Sequence, residues 1–314
     1  VSRGAALLLL AACNVLGGLS YTWQGLAMRP APDVAGLPPI TLIVLRNLVA
    51  LPLLAAWVRA RGGRLSWTAQ PRARRRVLLV AVLSFAAPLV LGVVGMRWST
   101  TQNGSILILL EPASILVFAR LLLGERILPV QALGVACGLA GAFTLVLEQV
   151  PAAGILAGLS AGEHLLGNVV LALHGVLWGT YTPLVKPLAE RHDPAEVTLA
   201  ILIGSLVVLV PSALFEARAW PTDPGVLADV LVWVLVLGVL VSFATTAGWT
   251  IALRELRASS IAPFVFLQPL AGVIGGALWM DESLSAHALV GGLLIGVGVL
   301  LVAVLGPRRA GRRV

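Results

Sequence analysis

Two charged residues stand inside long apolar runs: Glu111 in "SILILLEPASILVFA" and Arg46 in "ITLIVLRNLVALPLL". A carboxylate in hydrocarbon is costly without a partner or water, so an ionisable residue at such depth is a functional-site hypothesis by default. Protonation removes that cost, which suits Glu111 to a group that takes a proton from one side of a membrane and surrenders it to the other. Two readings of the pair stand side by side. Either Glu111 couples proton movement or touches a solute, or it pairs with Arg46 and fixes packing alone. Arg46 also suits a carboxylate or phosphate on a solute, which would make the cargo anionic or zwitterionic.

Further polar and aromatic groups recur at helical spacing. His174, Trp178 and Tyr181 follow i, i+4 and i+7 and share one face, and Asn14, Gly18, Tyr21 and Gly25 form a similar stripe. Two such stripes would line a cavity whose aromatic faces hold a flat or cationic solute and whose polar tips fix it. The alternative is an interfacial role, since Tyr181 with Thr182 lies close to a helix end, and Trp23, Trp98 and Trp249 read as anchors at the membrane surface. A lone histidine is also commonly a satisfied core residue. Gln268 precedes Pro269 as Glu111 precedes Pro112, with Pro263 a turn and a half earlier. Proline frees carbonyls within a span, and such interruptions are tolerated where they line a cavity or pack against protein. The candidate substrate-binding set is therefore Asn14, Tyr21, Arg46, Glu111, His174, Trp178, Tyr181 and Gln268, with Glu111 the candidate for proton coupling.

Other chemistries lack residues. His164, His174, His192 and His287 are scattered and no HExxH pattern exists, so neither catalytic residues nor a metal is expected. Cys13 and Cys137 lie in apolar runs, which leaves no disulfide framework or zinc site. No glycine-rich Lys-Ser/Thr loop is present, so ATP hydrolysis is excluded, and no cofactor is expected.

The elements that must position these groups follow from composition. The 314 residues are 59% hydrophobic and 11% charged, with a mean hydropathy of +0.98. An ordinary soluble domain is about 25% charged. The chain therefore reads as an all-α membrane protein with ten spans near residues 4–28, 40–58, 77–96, 100–121, 129–147, 167–187, 195–215, 226–250, 258–279 and 286–305. Helix is required at this length because lipid offers no partner to a free backbone N–H. Leu10-Ala11-Ala12-Cys13 resembles a lipoprotein cleavage box, but apolar sequence continues to Met28, so the segment reads as the first span. Gln102 and Asn103 open the fourth helix and suit capping. Glu125 and Glu282 sit in turns before helices five and ten, where an acid can accept from free N–H groups.

Charge sets the expected orientation. With both termini cytoplasmic, 18 basic residues fall inside, three (Arg29, Arg97, Arg218) outside, and Arg46 within a span. The net charge of +8 is thus an orientation signal, and acids on the outer connections argue against a nucleic-acid face. Lys186 is the only lysine among 22 basic residues, a bias that suits a GC-rich bacterial genome and hence the bacterial inner membrane.

The sequence also repeats. Shifted by 157 residues, Arg97 meets Arg254, Pro112 meets Pro269, Glu125 meets Glu282, Gly134 meets Gly291 and Gly141 meets Gly298. The front arms match more weakly at 160, where Asn14 meets His174 and Tyr21-Thr22 meets Tyr181-Thr182. The expected halves are 1–150 and 160–306, followed by a basic cytoplasmic tail at 307–314. Five spans per copy place the second upside down relative to the first, the signature of alternating-access transporters. Gly134, Gly138, Gly141, Gly291, Gly292, Gly296 and Gly298 read as close helix packing in lipid.

The segments "LLEPASILVFARLLLGERILPVQALG" and "FLQPLAGVIGGALWMDESLSAHALVGG", with "VLRNLVALPLL", resemble the ten-helix EamA-type branch of the drug/metabolite transporter superfamily over nearly the whole chain. Asp281 departs from the pattern where the first copy has Gly124. The resemblance implies secondary active export or exchange of small metabolites, amino acids or drugs. The sequence thus predicts a small-molecule carrier in a lipid bilayer, monomer or homodimer, with protons as a candidate coupling ion and no nucleic-acid partner. A passive facilitator or a non-transporting scaffold is the alternative.

Overall fold

The computed structural model describes residues 1–30, 34–63, 70–149, 154, 159–160, 162–279 and 285–306. Among the described residues, ten apolar helices are of membrane-spanning length: α1 (Arg3–Met28), α2 (Pro39–Ala60), α3 (Pro71–Arg97), α4 (Asn103–Leu123), α5 (Pro129–Leu147), α6 (Leu165–Arg191), α7 (Pro194–Leu214), α8 (Pro224–Glu255), α9 (Ala258–Trp279) and α10 (Ala286–Leu305). All ten expected spans are present. The main difference lies in α3, where Pro71 occupies the first helical turn, so Arg72, Arg74, Arg75 and Arg76 ride on the helix rather than in the loop before it. Large apolar side chains such as Leu8, Leu121, Val207, Leu293 and Val304 point outward with over two thirds of their surface exposed, the covering a lipid environment requires.

The packing pattern maps onto itself when each helix is exchanged for the one five places away. α1 lies on α9 as α6 lies on α4, α2 on α8 as α7 on α3, and α1 on α8 as α6 on α3; α5 with α10, α2 with α7, and α4 with α9 map onto themselves. Paired counterparts run in opposite directions. Gly134 of α5 packs on Gly298 of α10 while Gly141, two turns on, packs on Gly291, so the two helices are antiparallel. Arg61 after α2 pairs with Asp193 before α7, and Glu216 after α7 bonds the first turn of α2.

These contacts define two faces. On one, Arg3 donates to the Val302 and Gly306 carbonyls, Lys186 to the Leu253 and Leu256 carbonyls, and Glu125 accepts from the start of α9. The opposite face gathers the starts of α2, α4 and α6. The core is unequal between them. On the Arg3 face one cluster, including Leu10, Leu54, Val77, Ile115, Val185, Ile201, Leu253 and Phe264, joins both halves of the chain. Towards the other face the core divides into separate patches, Trp23, Leu42 and Val234 on α1, α2 and α8, and Ile43, Ala86 and Leu209 on α2, α3 and α7.

Candidate solute site

The centre of the fold is shaped by two broken helices. α4 continues a short helix, Thr101–Leu107, that starts two residues before the span, and breaks before Leu110–Leu123; α9 consists of Ala258–Val265 and Leu267–Trp279. Pro112 has no N–H for the Ile108 carbonyl; the Glu111 N–H takes that carbonyl instead, at 2.9 Å, and the helix turns before resuming. Pro269 removes the corresponding donor for Val265. Each break places one polar side chain at mid-span, Glu111 on α4 and Gln268 on α9. The neighbouring helices approach these points through glycine. A Cβ at Gly18 of α1 would collide with the Gln268 carbonyl oxygen, and one at Gly179 of α6 would sit 2.9 Å from that of Glu111.

Gln268 gathers part of the first stripe. Its amide donates to Asn14 Oδ1 at 3.0 Å, and Asn14 in turn donates to the Leu10 carbonyl. Tyr21 donates to Gln268 Oε1 at 3.4 Å. α9 packs against both α1 and α4, so the helices that carry Tyr21, Gln268 and Glu111 are neighbours. Tyr21 keeps 54% of its surface accessible, and Glu111 and Gln268 are only half-buried. Tyr21 and Gln268 therefore border one open space, and Glu111, at the matching break of α4, is likewise half open. Asn14 is fully buried behind Gln268, where it orients the amide rather than facing the space.

Among the described residues, Glu111 makes no hydrogen bond or ion pair through its side chain and no carboxylate lies within ion-pair distance of Arg46. The structural Arg46–Glu111 bridge, one of the two readings of the pair, is not formed. Arg46 is 8% exposed and its Nε has no partner.

The α6 stripe divides. His174 Nδ1 lies 2.6 Å from the Pro88 carbonyl of α3, and His174 and Trp178 are half-buried. Trp178, Tyr181 and Phe85 form a ring cluster with centroids 5.8 to 6.1 Å apart. Tyr181 is buried in that cluster, and its hydroxyl approaches Thr250 without hydrogen-bond geometry.

Several expectations are corrected. Trp23 and Trp249 are not surface anchors: both are buried, and Trp23 meets Trp279 edge to face at 6.1 Å. Thr100, not Asn103, caps α4 by accepting from the Asn103 N–H, while the Asn103 amide donates to Asn168 of α6. The Gln102 side chain lies outside the described residues, as does Glu282. Glu125 does cap a helix, but it serves α9 rather than α5, accepting from the Ala258 and Ser259 N–H groups. Gly296 has nothing within 4 Å of an added Cβ and takes no part in the α5–α10 contact.

One pair of sites escaped the sequence reading. Ser84-Phe85-Ala86 and Ser242-Phe243-Ala244 recur 158 residues apart, each inside a π-helical stretch, Val80–Ala86 in α3 and Leu237–Thr245 in α8. Ser84 hydrogen-bonds Thr180 of α6 and Ser242 donates to Asn47 of α2, each crossing between halves at 2.7 Å. The repeated tripeptide was the available signal. A separate recess of about 340 Å³ between α2 and α8 is lined only by apolar side chains, including Leu45, Leu48 and Val234, and holds none of the candidate residues.

Comparison with known proteins agrees with this architecture. The sequence profile of the EamA-like transporter family matches residues 5–147 and again residues 165–304. The chain belongs to that family. It is thus a membrane transporter of EamA type, within the drug/metabolite transporter superfamily. It is 28% identical over 284 residues to an uncharacterized transporter of Archaeoglobus fulgidus, covering 89% of this chain and 92% of the relative. The uncharacterized transporter YvbV of Bacillus subtilis is 28% identical, with 94% and 90% covered. A protein of Streptantibioticus cattleyicolor named "Probable terminal-alkyne amino-acid exporter" is 29% identical over 209 residues, 66% of each chain. A solved crystal structure superposes with a TM-score of 0.77 at 21% identity, covering 97% of this EamA-like chain and 98% of its own, which speaks to the fold alone.

Proposed function

We propose that this EamA-like transporter is a secondary active exporter that moves a small organic solute by alternating access, with Glu111 as the proton-coupling group. The observation that carries the reading is the half-buried Glu111 carboxylate at the α4 break, which has no ion pair or side-chain hydrogen bond among the described residues and sits on a helix packed against α9, the helix of Gln268. A carboxylate that served only packing would have a cation or donors around it. One without them can hold a proton or a solute cation in turn. The two halves, 1–150 and 160–306, rock against each other about the antiparallel α5–α10 and α2–α7 contacts.

The positive-inside rule assigns the Arg3 face, with Arg59, Arg61, Arg72, Arg74, Arg75, Arg76, Arg120, Arg126, Lys186 and Arg191, to the cytoplasm of a bacterial inner membrane. On that assignment the undivided core closes the cytoplasmic side and the divided core leaves the outer side open. The relative named as an amino-acid exporter supports outward movement.

The test is transport in proteoliposomes under an imposed pH gradient, screened with amino acids, nucleosides and cationic dyes. Saturable, gradient-driven movement with counterflow is expected, and Glu111→Gln abolishes the gradient-driven part in a folded protein. Flow without saturation or counterflow would make the chain a passive facilitator, and unchanged pH dependence in Glu111→Gln would remove the proton role.

A further inference from the structure

The start of α3 carries four arginines that no described acid neutralises. Arg72, Arg74, Arg75 and Arg76 fall within the first two turns of the helix, and none has an ion pair or a side-chain hydrogen bond among the described residues. The acids at the adjoining ends of α6 and α7 are engaged elsewhere. Glu190 pairs with Lys186 at 2.8 Å, Asp193 pairs with Arg61 at 3.3 Å, and Glu196 is buried, 2.8 Å from where a Cβ on Gly63 would lie. Helical spacing sorts the arginines. Ala73, Val77 and Val80 are buried against the protein, whereas Arg72 and Arg75, with the half-buried Arg76 beside them, share a face with Leu79 and Leu83, which keep 40% and 43% of their surface exposed. Three cations thus stand at the head of an apolar strip that runs into the bilayer. The shared architecture of the two halves does not demand them. At the 158-residue offset that aligns Ser84 with Ser242, the four arginines fall on Val230, Val232, Trp233 and Val234 of α8. Orientation by charge needs cations near the membrane, but not cations aligned with leucines on one helix face.

We propose that this face of α3 binds an anionic phospholipid, with the headgroup phosphate on Arg72, Arg75 and Arg76 and an acyl chain along Leu79 and Leu83. Guanidinium forks match phosphate oxygens in two-point geometry and keep their charge at any working pH. Basic clusters immediately beside a span attract the negatively charged lipids of the bilayer surface, each cation adding to the binding. Arg76 is the deepest of the set, and its long side chain reaches the phosphate level while its stem lies on apolar surface. A free anion gains the guanidinium contacts alone. A lipid gains those and the leucine strip, so the arrangement selects the lipid. The start of α3 packs on both α6 and α7, so occupancy there favours the folded state and is readable as a thermal shift.

The test is lipid retention by native mass spectrometry, together with the thermal unfolding midpoint, for the purified full chain in neutral detergent. The probes are phosphatidylglycerol, phosphatidylcholine as the zwitterionic control, and sodium phosphate as the free anion. The native chain is expected to retain phosphatidylglycerol selectively and to gain more thermal stability from it than from phosphatidylcholine. Combined Arg72→Gln, Arg75→Gln and Arg76→Gln should weaken phosphatidylglycerol binding about a hundredfold, and Arg75→Gln alone about fivefold, the usual contribution of one cation at a lipid surface. The single substitution serves where the triple one fails to insert. Arg308→Gln, Arg309→Gln and Arg312→Gln together remove the same charge elsewhere and should leave the preference intact. Equal binding of the two lipids by the native chain overturns the proposal. So does a preference that survives the α3 substitutions, one that falls equally with the tail substitutions, or protection by sodium phosphate that matches the lipid's.

Discussion

Gly141 and Gly291 lie backbone to backbone: a Cβ on Gly141 would come within 2.5 Å of the Gly291 carbonyl oxygen, and one on Gly291 within 2.7 Å of the Gly141 carbonyl oxygen. The reciprocity belongs to a two-fold relation. Gly134 and Gly298 make the same exchange two turns away, and the 157-residue repeat pairs Gly134 with Gly291 and Gly141 with Gly298. Each glycine touches the counterpart of the other, the pattern of an isologous interface within one chain.

Gly141→Ala is therefore expected to destabilise by about 1–3 kcal/mol, because the obstructing atoms are backbone and cannot rotate away. Thermal unfolding in detergent measures it. Gly296→Ala is the control, since nothing lies within 4 Å of its added Cβ and alanine is the better helix former. Equal losses for both substitutions would show that close approach at Gly141 is not what holds the two helices.

Glu125 joins the halves by a different means. Its carboxylate accepts from two free N–H groups at the start of α9 and from the Ser259 hydroxyl, with Arg257 at 3.6 Å. Loss of charge-assisted bonds at a partly buried helix start costs roughly 1.5–3 kcal/mol, so Glu125→Ala should lower the unfolding midpoint while Glu125→Gln loses less. Native-like stability of Glu125→Ala would contradict the assignment.

Span count, order and sequence register were legible because lipid imposes one rule on every crossing, and apolar length satisfies it. The mid-span positions of Glu111 and Gln268 were legible for the same reason, as were the breaks, since proline at the following residue removes a known donor. What the sequence did not disclose is which side a polar group faces. Asn14 and Tyr21 belong to one helical stripe, yet Asn14 is buried behind Gln268 and Tyr21 is open. Two turns of small drift decide between them, and periodicity is too coarse to resolve it. The Arg46–Glu111 bridge was equally open to sequence, because pairing depends on the angle between α2 and α4. Trp23 and Trp249 misled through a statistical preference for interfaces that packing against Trp279 and the α8 core overrides.

The continuous core towards the Arg3 face makes Cys13 a reporter of access from that side. Cys13 is 3% exposed within the cluster that joins the halves, and its Sγ would lie 2.7 Å from a Cβ on Gly248 of α8. Lys186 closes the nearby ends by donating to two carbonyls that finish α8, at 3.0 and 2.8 Å. With Cys137 replaced by serine, Cys13 should react slowly with a maleimide, and Lys186→Met should speed the reaction about tenfold, the consequence of removing roughly 1.4 kcal/mol of closure. A labelling rate unmoved by Lys186→Met, in a protein that transports at the native rate, would mean that this clasp does not govern access.

The hydrogen bond of His174 separates a structural role from a proton-relay role. A carbonyl only accepts, so the 2.6 Å contact with Pro88 puts the proton on Nδ1 and leaves Nε2 unprotonated in the neutral ring. The bond ties α6 to α3 beside Gly92, where an added Cβ would meet the imidazole at 2.9 Å, so the ring fills the gap between the two helices. His174→Phe keeps the ring and loses the donor. It should lower stability by about 1 kcal/mol through the unsatisfied contact, and leave the pH profile of transport where it was. His174→Ala should cost more, since a half-buried ring is removed as well. If His174→Phe folds with native stability and yet flattens the pH profile, the histidine carries protons and Glu111 does not act alone.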